Sequence, residues 1–295
     1  MGYWEDKEIQ ERIGDWMRTA VGVIESSHVR VMRVADNMRN VAVTEGDKVE
    51  AQIKFGWEVD AYPVNEVADA VAQVGQGDVN ALVEEYYDKY QILLEGRDEA
   101  EFRKHVAVQA QIELGFERFL EANNYQAIVT HFGDLGSLQQ LPGLAMQRLM
   151  EKGYGFGAEG DWKSAALYRT VWVMNQGLSK GCSFLEDYTL NFDGANSAIL
   201  QSHMLEVCPL IAASKPRLEV HFLGIGIRKS QTARLVFTSK VGSGCTATVV
   251  DLGNRFRLIV NDVECIEPKP LPKLPVASAL WIPMPNFEVG AGAWI

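Results

Sequence analysis

The chain has few of the features that mark secreted, membrane-bound or zinc-stabilised proteins. Its 295 residues include only four cysteines, widely spaced and without a CxxC pair, so neither a disulfide framework nor a zinc pattern is indicated. No apolar run approaches the roughly 18 residues of a membrane span, and residues 1–20 lack the apolar stretch of a signal peptide. We therefore expect a cytoplasmic protein without a membrane partner, with buried free thiols at Cys182, Cys208, Cys245 and Cys265.

Basic charge is also scarce. The chain has 28 Lys and Arg against 39 Asp and Glu, a net charge of −11, and no basic run. Nucleic-acid binding needs a positive surface, so we expect no nucleic-acid partner. An apolar share of 47% and a charged share of 23% are ordinary for a soluble globular protein, and the length allows two domains, each with its own core.

The first part of the chain alternates between helical and strand patterns. Apolar residues at helical spacing predict an amphipathic helix over residues 1–27. Strands are predicted at 28–36 and 125–132, and helices at 64–74, 79–94, 99–122, 138–152 and from Asp161 to Gly177. Alternating strands and helices favour a helix-covered, mainly parallel sheet. We therefore predict a Rossmann-like α/β domain over residues 30–181.

The pattern changes near residue 182. Runs rich in Val, Ile, Thr and Phe, separated by Gly, Asn, Asp and Ser, predict strands at 218–227, 233–239, 246–253 and 256–266. Four prolines in residues 267–275 exclude an interior strand there and favour a covering segment. We predict a β-rich, largely antiparallel domain over residues 182–295.

Three short segments place ionisable side chains in apolar or glycine-rich surroundings. They contain Glu159 (GYGFGAEGDWK), Glu186 (SFLEDYT) and His203 (SHMLEVCP). Ionised groups in such surroundings are unfavourable unless they are paired or bind a metal. Two glutamates and a histidine are a suitable donor set for a divalent metal. Taken singly, Glu159 could instead be a capping or solvent-facing acid, and His203 a hydrogen-bonded core residue.

Strand alternation limits which side chains can share a pocket. Glu186 and Asp187 are neighbours, so only one of them faces a given side of a strand. If residues 202–209 are a strand, His203 faces one side and Glu206 belongs to a different environment. The glycine-rich stretch before Glu159 lacks GxGxxG spacing, which argues against a dinucleotide site.

These segments, with their neighbours, resemble the L-arabinose isomerases of bacteria. The resemblance covers essentially the whole chain and includes GDVNALVEEY, IELGFERFLE, LPGLAMQRLMEKGYGF, LPKLPVASALW and DNMRNVAVTEGDKVEAQIKFG. It implies that Glu159, Glu186 and His203 are three of four ligands of one Mn²⁺ ion. It also implies that the two glutamates transfer protons, and that Met38, Phe132 and Ile225 lie near the sugar.

The resemblance implies a reaction and an assembly. The expected activity is isomerisation of L-arabinose to L-ribulose, and of D-galactose to D-tagatose, through a cis-enediol, without an organic cofactor. Members of the family form homo-oligomers, trimers or dimers of trimers, in which a neighbouring first domain completes each site. The GAEGDWK and LEDYT segments favour arabinose isomerases over the related fucose isomerases.

The same resemblance suggests that the chain is the central part of a longer enzyme. Residues 1–29 would be the terminal helix of a missing first domain, with an exposed apolar face, and the fourth ligand, a histidine, would follow Ile295. Two alternatives to an active isomerase therefore stay open. One is a non-catalytic remnant that keeps the fold, and the other is a sugar- or metal-binding module.

Overall fold

The computed structural model describes residues 2–223, 229–271 and 273–284. In these ranges the helices are α1 (Lys7–Ser26), α2 (Lys48–Phe55), α3 (Val64–Ala72), α4 (Gln76–Lys89), α5 (Glu99–Ala122), α6 (Gly143–Lys152) and α7 (Trp162–Met174). The strands are β1 (Arg30–Val34), β2 (Glu58–Tyr62), β3 (Gln91–Ile92), β4 (Ala127–Val129), β5 (Gly155–Gly157), β6 (Glu186–Asn191), β7 (Ala198–Ser202), β8 (Arg217–His221), β9 (Thr232–Val236), β10 (Gly242–Asp251), β11 (Phe256–Ile266) and β12 (Ser278–Pro283). Single turns of 3-10 helix lie at Ala42–Thr44, Gly194–Asn196 and Pro209–Ile211.

The first half contains a parallel sheet with the strand order β2-β1-β4-β5. Alternate residues of its strands point to opposite faces. On one face Met32 and Ile128 pack in an apolar cluster with α3, α5 and α6. On the other face Val31 and Val129 pack with Ala51 of α2 and with the start of α7. This helix-covered parallel sheet confirms the predicted α/β class.

The second half is mainly antiparallel, which also confirms the predicted class. Its larger sheet has the order β10-β11-β12-β7-β6, and each neighbouring pair runs antiparallel. β8 and β9 form a separate antiparallel pair. The first-half strand β3 joins that pair in parallel to β8, so one sheet takes strands from both sides of residue 181.

Three helix predictions are wrong at one end. The helix predicted over residues 1–27 begins at Lys7. The helix predicted at 79–94 ends at Lys89, because Gln91 and Ile92 pair with β8 instead. The helix predicted from Leu138 begins at Gly143, directly after Pro142, whose ring cannot sit within a helix interior. Gly153 has a φ of 101° and ends this helix, as the sequence predicts.

The cysteine prediction is wrong in part. Cys208 is buried and Cys182 and Cys265 are half-buried, but Cys245 is exposed on β10. All four are free thiols. Strand β10 lies at the edge of its sheet, and residues 243–245 near its start are all exposed.

Buried polar contacts join the two halves. Gln147 of α6 donates from Nε2 to the carbonyl oxygens of Val207 (3.0 Å) and Leu235 (3.1 Å). Its Oε1 accepts the backbone N–H of Leu235 at 2.7 Å. All of these groups are buried, so the amide satisfies backbone groups that water cannot reach. These bonds fix β9 and residue 207 against α6, close to the functional segments.

Helix α1 has one packed face and one exposed apolar face. Gly22 lies against α7, where a Cβ would come within 2.5 Å of Met174 Cγ, and Arg18 donates to the Met174 carbonyl oxygen at 3.1 Å. Trp16 and Ile24, by contrast, are 71% and 63% exposed. The predicted exposed apolar face is confirmed. Among the described helices, none is both long and apolar enough to cross a membrane.

Candidate active-site cavity

Glu159 lies in a tight turn between β5 and α7, at the carboxyl end of the parallel sheet. Its own φ is 56°, an unusual value for a residue with a side chain, and the φ of Gly160 is 86°. The Glu159 carbonyl oxygen accepts the Met38 N–H at 2.8 Å, and Gly160 N–H donates to Thr130 O at 3.1 Å. Asp161 then caps α7 by accepting from two backbone N–H groups. The turn is therefore held by two neighbouring loops.

Glu186 and His203 become neighbours through the register of two antiparallel strands. Glu186 is the first residue of β6 and pairs with Ser202, the last residue of β7. His203 follows directly, and its Nε2 lies 3.8 Å from Glu186 Oε1. Asp187, next to Glu186, interacts instead with Gln201 on the neighbouring strand. The structure thus separates the two adjacent acids, as strand alternation predicts.

The conditional prediction for Glu206 is wrong. Strand β7 ends at Ser202, so residues 203–206 form a turn and strand alternation does not apply to them. Glu206 reaches back across the turn, and its Oε2 accepts a hydrogen bond of 2.6 Å from His203 Nδ1–H. The Glu206 side chain is only 6% exposed. This bond directs the other ring nitrogen, Nε2, towards Glu186.

The three candidate ligands line one cavity of about 330 Å³, which we call the junction cavity because both halves of the chain contribute to it. Its polar side chains are Thr130, Glu159, Glu186, Tyr188, His203 and Glu206. Its apolar wall includes Phe132, Leu135, Leu141, Phe156 and Leu205. A polar cluster facing an apolar wall suits a small polar ligand with a carbon skeleton.

Negative charge dominates the polar side of the junction cavity. Partial desolvation raises the pKa of Glu186, whose side chain is still 44% exposed, and the nearby carboxylates of Glu159 and Glu206 raise it further, against the opposing effect of His203. Burial lowers the pKa of His203, but Glu206, Glu186 and Glu159 outweigh this and the pKa is raised. Three carboxylates thus surround one imidazole. A divalent cation would relieve this excess of negative charge, so the residues fit a metal.

The candidate ligands do not form a closed cluster. Glu159, Glu186 and His203 line the same cavity, but among the described residues they are not a group whose ligand atoms all lie within 4.8 Å of one another. Of the predicted sugar-contacting residues, Phe132 lines the cavity. Met38 is half-buried and touches Glu159 through its backbone N–H. Ile225 lies outside the described residues.

A more compact group of acids and a histidine lies elsewhere. Ligand atoms of Glu95, Glu219 and His221 all lie within 4.8 Å of one another. Both oxygens of Glu219 are already bound, one by Arg217 Nε at 2.7 Å and the other by His221 Nε2 at 2.7 Å. Because a guanidinium already neutralises the buried carboxylate, this group is a poorer cation site than the junction cavity.

Sequence reasoning missed three polar residues of the junction cavity, Thr130, Tyr188 and Glu206. Tyr188 lies two positions after Glu186 on β6, and period-two alternation could have placed both on one face. Glu206 had no comparable signal, because residues 203–206 contain no glycine, proline, asparagine or aspartate to mark a turn after β7.

The fold and the junction cavity define a two-part α/β and β protein with a carboxylate–imidazole set suited to a divalent metal. Residues 30–177 match the family model of the L-arabinose isomerase central domain, and residues 181–295 match that of the L-arabinose isomerase C-terminal domain. The chain belongs to the L-arabinose isomerase family.

Relatives across this family are similar over the full chain. It is 67% identical to an L-arabinose isomerase of Phocaeicola vulgatus, 64% identical to one of Bacteroides thetaiotaomicron and 52% identical to one of Anoxybacillus flavithermus. Each match covers 100% of this chain and 59% of the relative. The chain therefore spans about three fifths of the length of these curated relatives.

Proposed function

We propose that this chain carries the central catalytic part of an L-arabinose isomerase, which converts L-arabinose to L-ribulose and, more slowly, D-galactose to D-tagatose. The observation that carries the proposal is the meeting of Glu159, Glu186 and His203 on one sugar-sized cavity, in a chain that matches the family throughout. A cytoplasmic location and a homo-oligomeric state, trimer or dimer of trimers, remain predictions.

Glu159, Glu186 and His203 would hold one Mn²⁺ ion. When bound, the metal would supply Lewis acidity, stabilising negative charge on the sugar oxygens. His203 is suited to this part because Glu206 occupies its Nδ1–H and leaves Nε2 towards Glu186 and the cavity. Neutral Nε2 is a common metal-binding atom when the other ring nitrogen donates to a carboxylate.

The two glutamates would carry the protons. Isomerisation removes a hydrogen from C2 as a proton and returns one to C1, with a proton moved between O1 and O2. Carboxylates at different points of the cavity wall can serve as base and acid to a sugar lying between them. Glu159 comes from the α/β half and Glu186 from the β-rich half. Phe132 and the apolar wall would exclude water and hold the carbon chain.

A chimaeric enzyme tests this proposal. The 295 residues replace the aligned part of the Phocaeicola vulgatus relative, which is 67% identical over the whole chain, and L-ribulose formation is measured with Mn²⁺. We expect turnover in the chimaera and its loss in Glu159→Gln and Glu186→Gln variants. Asp187→Asn is the matched control, since Asp187 interacts with Gln201, and should retain turnover. Full activity in either glutamine variant would refute the assigned roles.

A second candidate function is binding of sugar or metal without turnover. The open spacing of the three ligands favours it, since their ligand atoms do not all lie within 4.8 Å of one another in the described residues. Metal and sugar binding by an inactive chimaera would support this alternative.

A further inference from the structure

We propose that Lys163 is a positioning residue that clamps residues 36–47 against the turn carrying Glu159. The clamp itself is a matter of structure, and only its importance for catalysis rests on the function proposed above. Residues 36–47 connect β1 to α2 and include Met38, whose N–H contacts the Glu159 carbonyl oxygen. We call these residues the clamped segment.

Lys163 is a buried cation with two backbone acceptors and one ion-pair partner. It lies in the first turn of α7, and its side chain is 1% exposed. Nζ donates to the carbonyl oxygens of Val43 (2.9 Å) and Glu45 (2.7 Å), and it lies 3.0 Å from Asp161 Oδ1. Of the three N–H donors of the ammonium, two bond to these carbonyl oxygens, and Asp161 supplies the opposite charge as a third partner. A buried ammonium without them would be strongly unfavourable, which makes this arrangement specific.

The Glu45 side chain holds the clamped segment from another direction. Its Oε1 accepts from Trp162 Nε1 at 3.2 Å, and its Oε2 pairs with Arg33 Nη1 at 2.9 Å. Arg33 lies on β1 and is 2% exposed. Adjacent residues of α7, Trp162 and Lys163, therefore bind the side chain and the main chain of the same glutamate. The segment is fixed to both β1 and α7.

The clamp reaches Glu159 through direct backbone contacts. Met38 N–H donates to Glu159 O at 2.8 Å. A Cβ at Gly160 would come within 2.6 Å of Asn37 Cα, so the turn and the clamped segment are in contact. Glu159 itself has a φ of 56°, and a residue in that region keeps it only where its surroundings impose it. Loosening the clamped segment would therefore let Glu159 relax away from the cavity.

A lysine that only stabilises the core and a lysine that positions Glu159 should change amide exchange rates at different residues when they are replaced. If Lys163 only stabilises the core, its loss should speed amide exchange throughout the parallel sheet. If it positions Glu159, exchange should rise first at the Met38 and Gly160 amides, whose acceptors are Glu159 O and Thr130 O. Local opening can be measured separately from global unfolding because each amide reports its own protection.

The test is amide hydrogen exchange by NMR on the 295-residue chain, with Mn²⁺ affinity measured by EPR. We expect Lys163→Met to speed exchange at Met38 and Gly160 by at least roughly tenfold relative to Ile128 in β4. Glu45→Gln keeps Lys163 and should give a smaller change of the same kind. Arg148→Met removes a buried ion pair with Glu113 in a region apart from the clamped segment. It should lower stability and leave the ratio of exchange rates unchanged.

The metal measurement separates this proposal from the proposed function. We expect Lys163→Met to weaken Mn²⁺ binding at least threefold while Arg148→Met does not. Unchanged exchange ratios in both Lys163→Met and Glu45→Gln would overturn the clamp, as would an equal change in Arg148→Met. Unchanged Mn²⁺ affinity in Lys163→Met, with binding intact in the wild type, would overturn its action on Glu159. If the wild-type chain binds no Mn²⁺, the metal assignment fails and the exchange ratios alone decide the clamp.

Discussion

Removal of the Glu206 carboxylate should weaken metal binding although Glu206 is not itself proposed as a ligand. The His203 Nδ1–Glu206 Oε2 bond is 2.6 Å long, and the Glu206 side chain is 6% exposed. In Glu206→Ala the ring loses the acceptor that fixes its orientation. Metal binding would then have to order the ring and bury its N–H without a partner.

The size of the effect follows from the burial of this bond. Leaving one buried polar group without a partner typically costs about 1–3 kcal/mol, which corresponds to roughly 5–150-fold in affinity at about 1.4 kcal/mol per factor of ten. Loss of an outer partner of a metal ligand typically weakens binding by about 10–100-fold. We therefore expect Glu206→Ala to weaken Mn²⁺ binding by about 10–100-fold. Glu206→Gln keeps an acceptor oxygen but loses the charge, and should lie between wild type and Glu206→Ala.

Mn²⁺ EPR titration measures the affinity, and ¹⁵N NMR of the imidazole measures the tautomer without metal. The titration needs a pH at which His203 is neutral, since its raised pKa otherwise adds proton competition. Asp187→Asn, exposed on β6, serves as the control for loss of a nearby charge. Wild-type affinity in Glu206→Ala, together with an unchanged tautomer, would show that Glu206 does not orient His203 for metal binding.

Three further predictions concern the pH response, the packing and the activity of the chain. The pKa of Glu45 is lowered from 4.5 to about 2 by its contacts with Lys48, Trp162 and Arg33, which outweigh the opposing effect of burial. The ionised Glu45 therefore stabilises the fold above about pH 4.5, and this contribution is lost as the pH falls towards 2. In urea unfolding, Glu45→Gln should be less stable than wild type at pH 7, and the difference should shrink as the pH falls from about 4.5 to about 2. Gly155→Ala should lower the free energy of unfolding by at least about 2 kcal/mol, because the new Cβ would lie 2.1 Å from the Ala165 carbonyl oxygen. Gly14→Ala in α1 places its Cβ where nothing lies within 4 Å and should raise the stability of the protein. Similar shifts in melting temperature for the two variants would contradict this packing. The 295-residue chain alone should form little or no L-ribulose with Mn²⁺. It spans 59% of the length of its relatives, and acid–base groups alone raise a reaction rate only about 10²–10⁴-fold. Robust turnover that disappears in Glu159→Gln would contradict this prediction.

The sequence predicted the fold where local patterns and tertiary structure agree. The parallel sheet follows from alternating strand and helix patterns, and α5 has the predicted bounds because its cap, Asp98, and its apolar spacing coincide. Strand β3 was missed because two residues carry no periodicity, and only pairing with β8 makes them a strand. The predicted helix at 79–94 ran past the observed end of α4 at Lys89 for the same reason.

For the candidate site as well, local sequence features could be predicted and tertiary contacts could not. The residue types of the three ligands could be predicted, because isolated charged residues in apolar runs are easily identified in a sequence. Their proximity was implied only by the family resemblance and not by local pattern, because it depends on the β6–β7 register, which brings Glu186 beside His203. The Glu206 contact depends on a turn, where period-two reasoning fails. Lys163 reads as an ordinary helix residue, and only the packed structure shows it buried against the clamped segment.

An Mn²⁺ titration of the 295-residue chain, followed by EPR, tests the proposed metal site most directly. We predict weak, saturable binding of one Mn²⁺ per chain, lost in Glu159→Gln and in Glu186→Gln and kept in Asp187→Asn. Absence of binding, or wild-type affinity in either glutamine variant, would contradict a metal site formed by Glu159, Glu186 and His203.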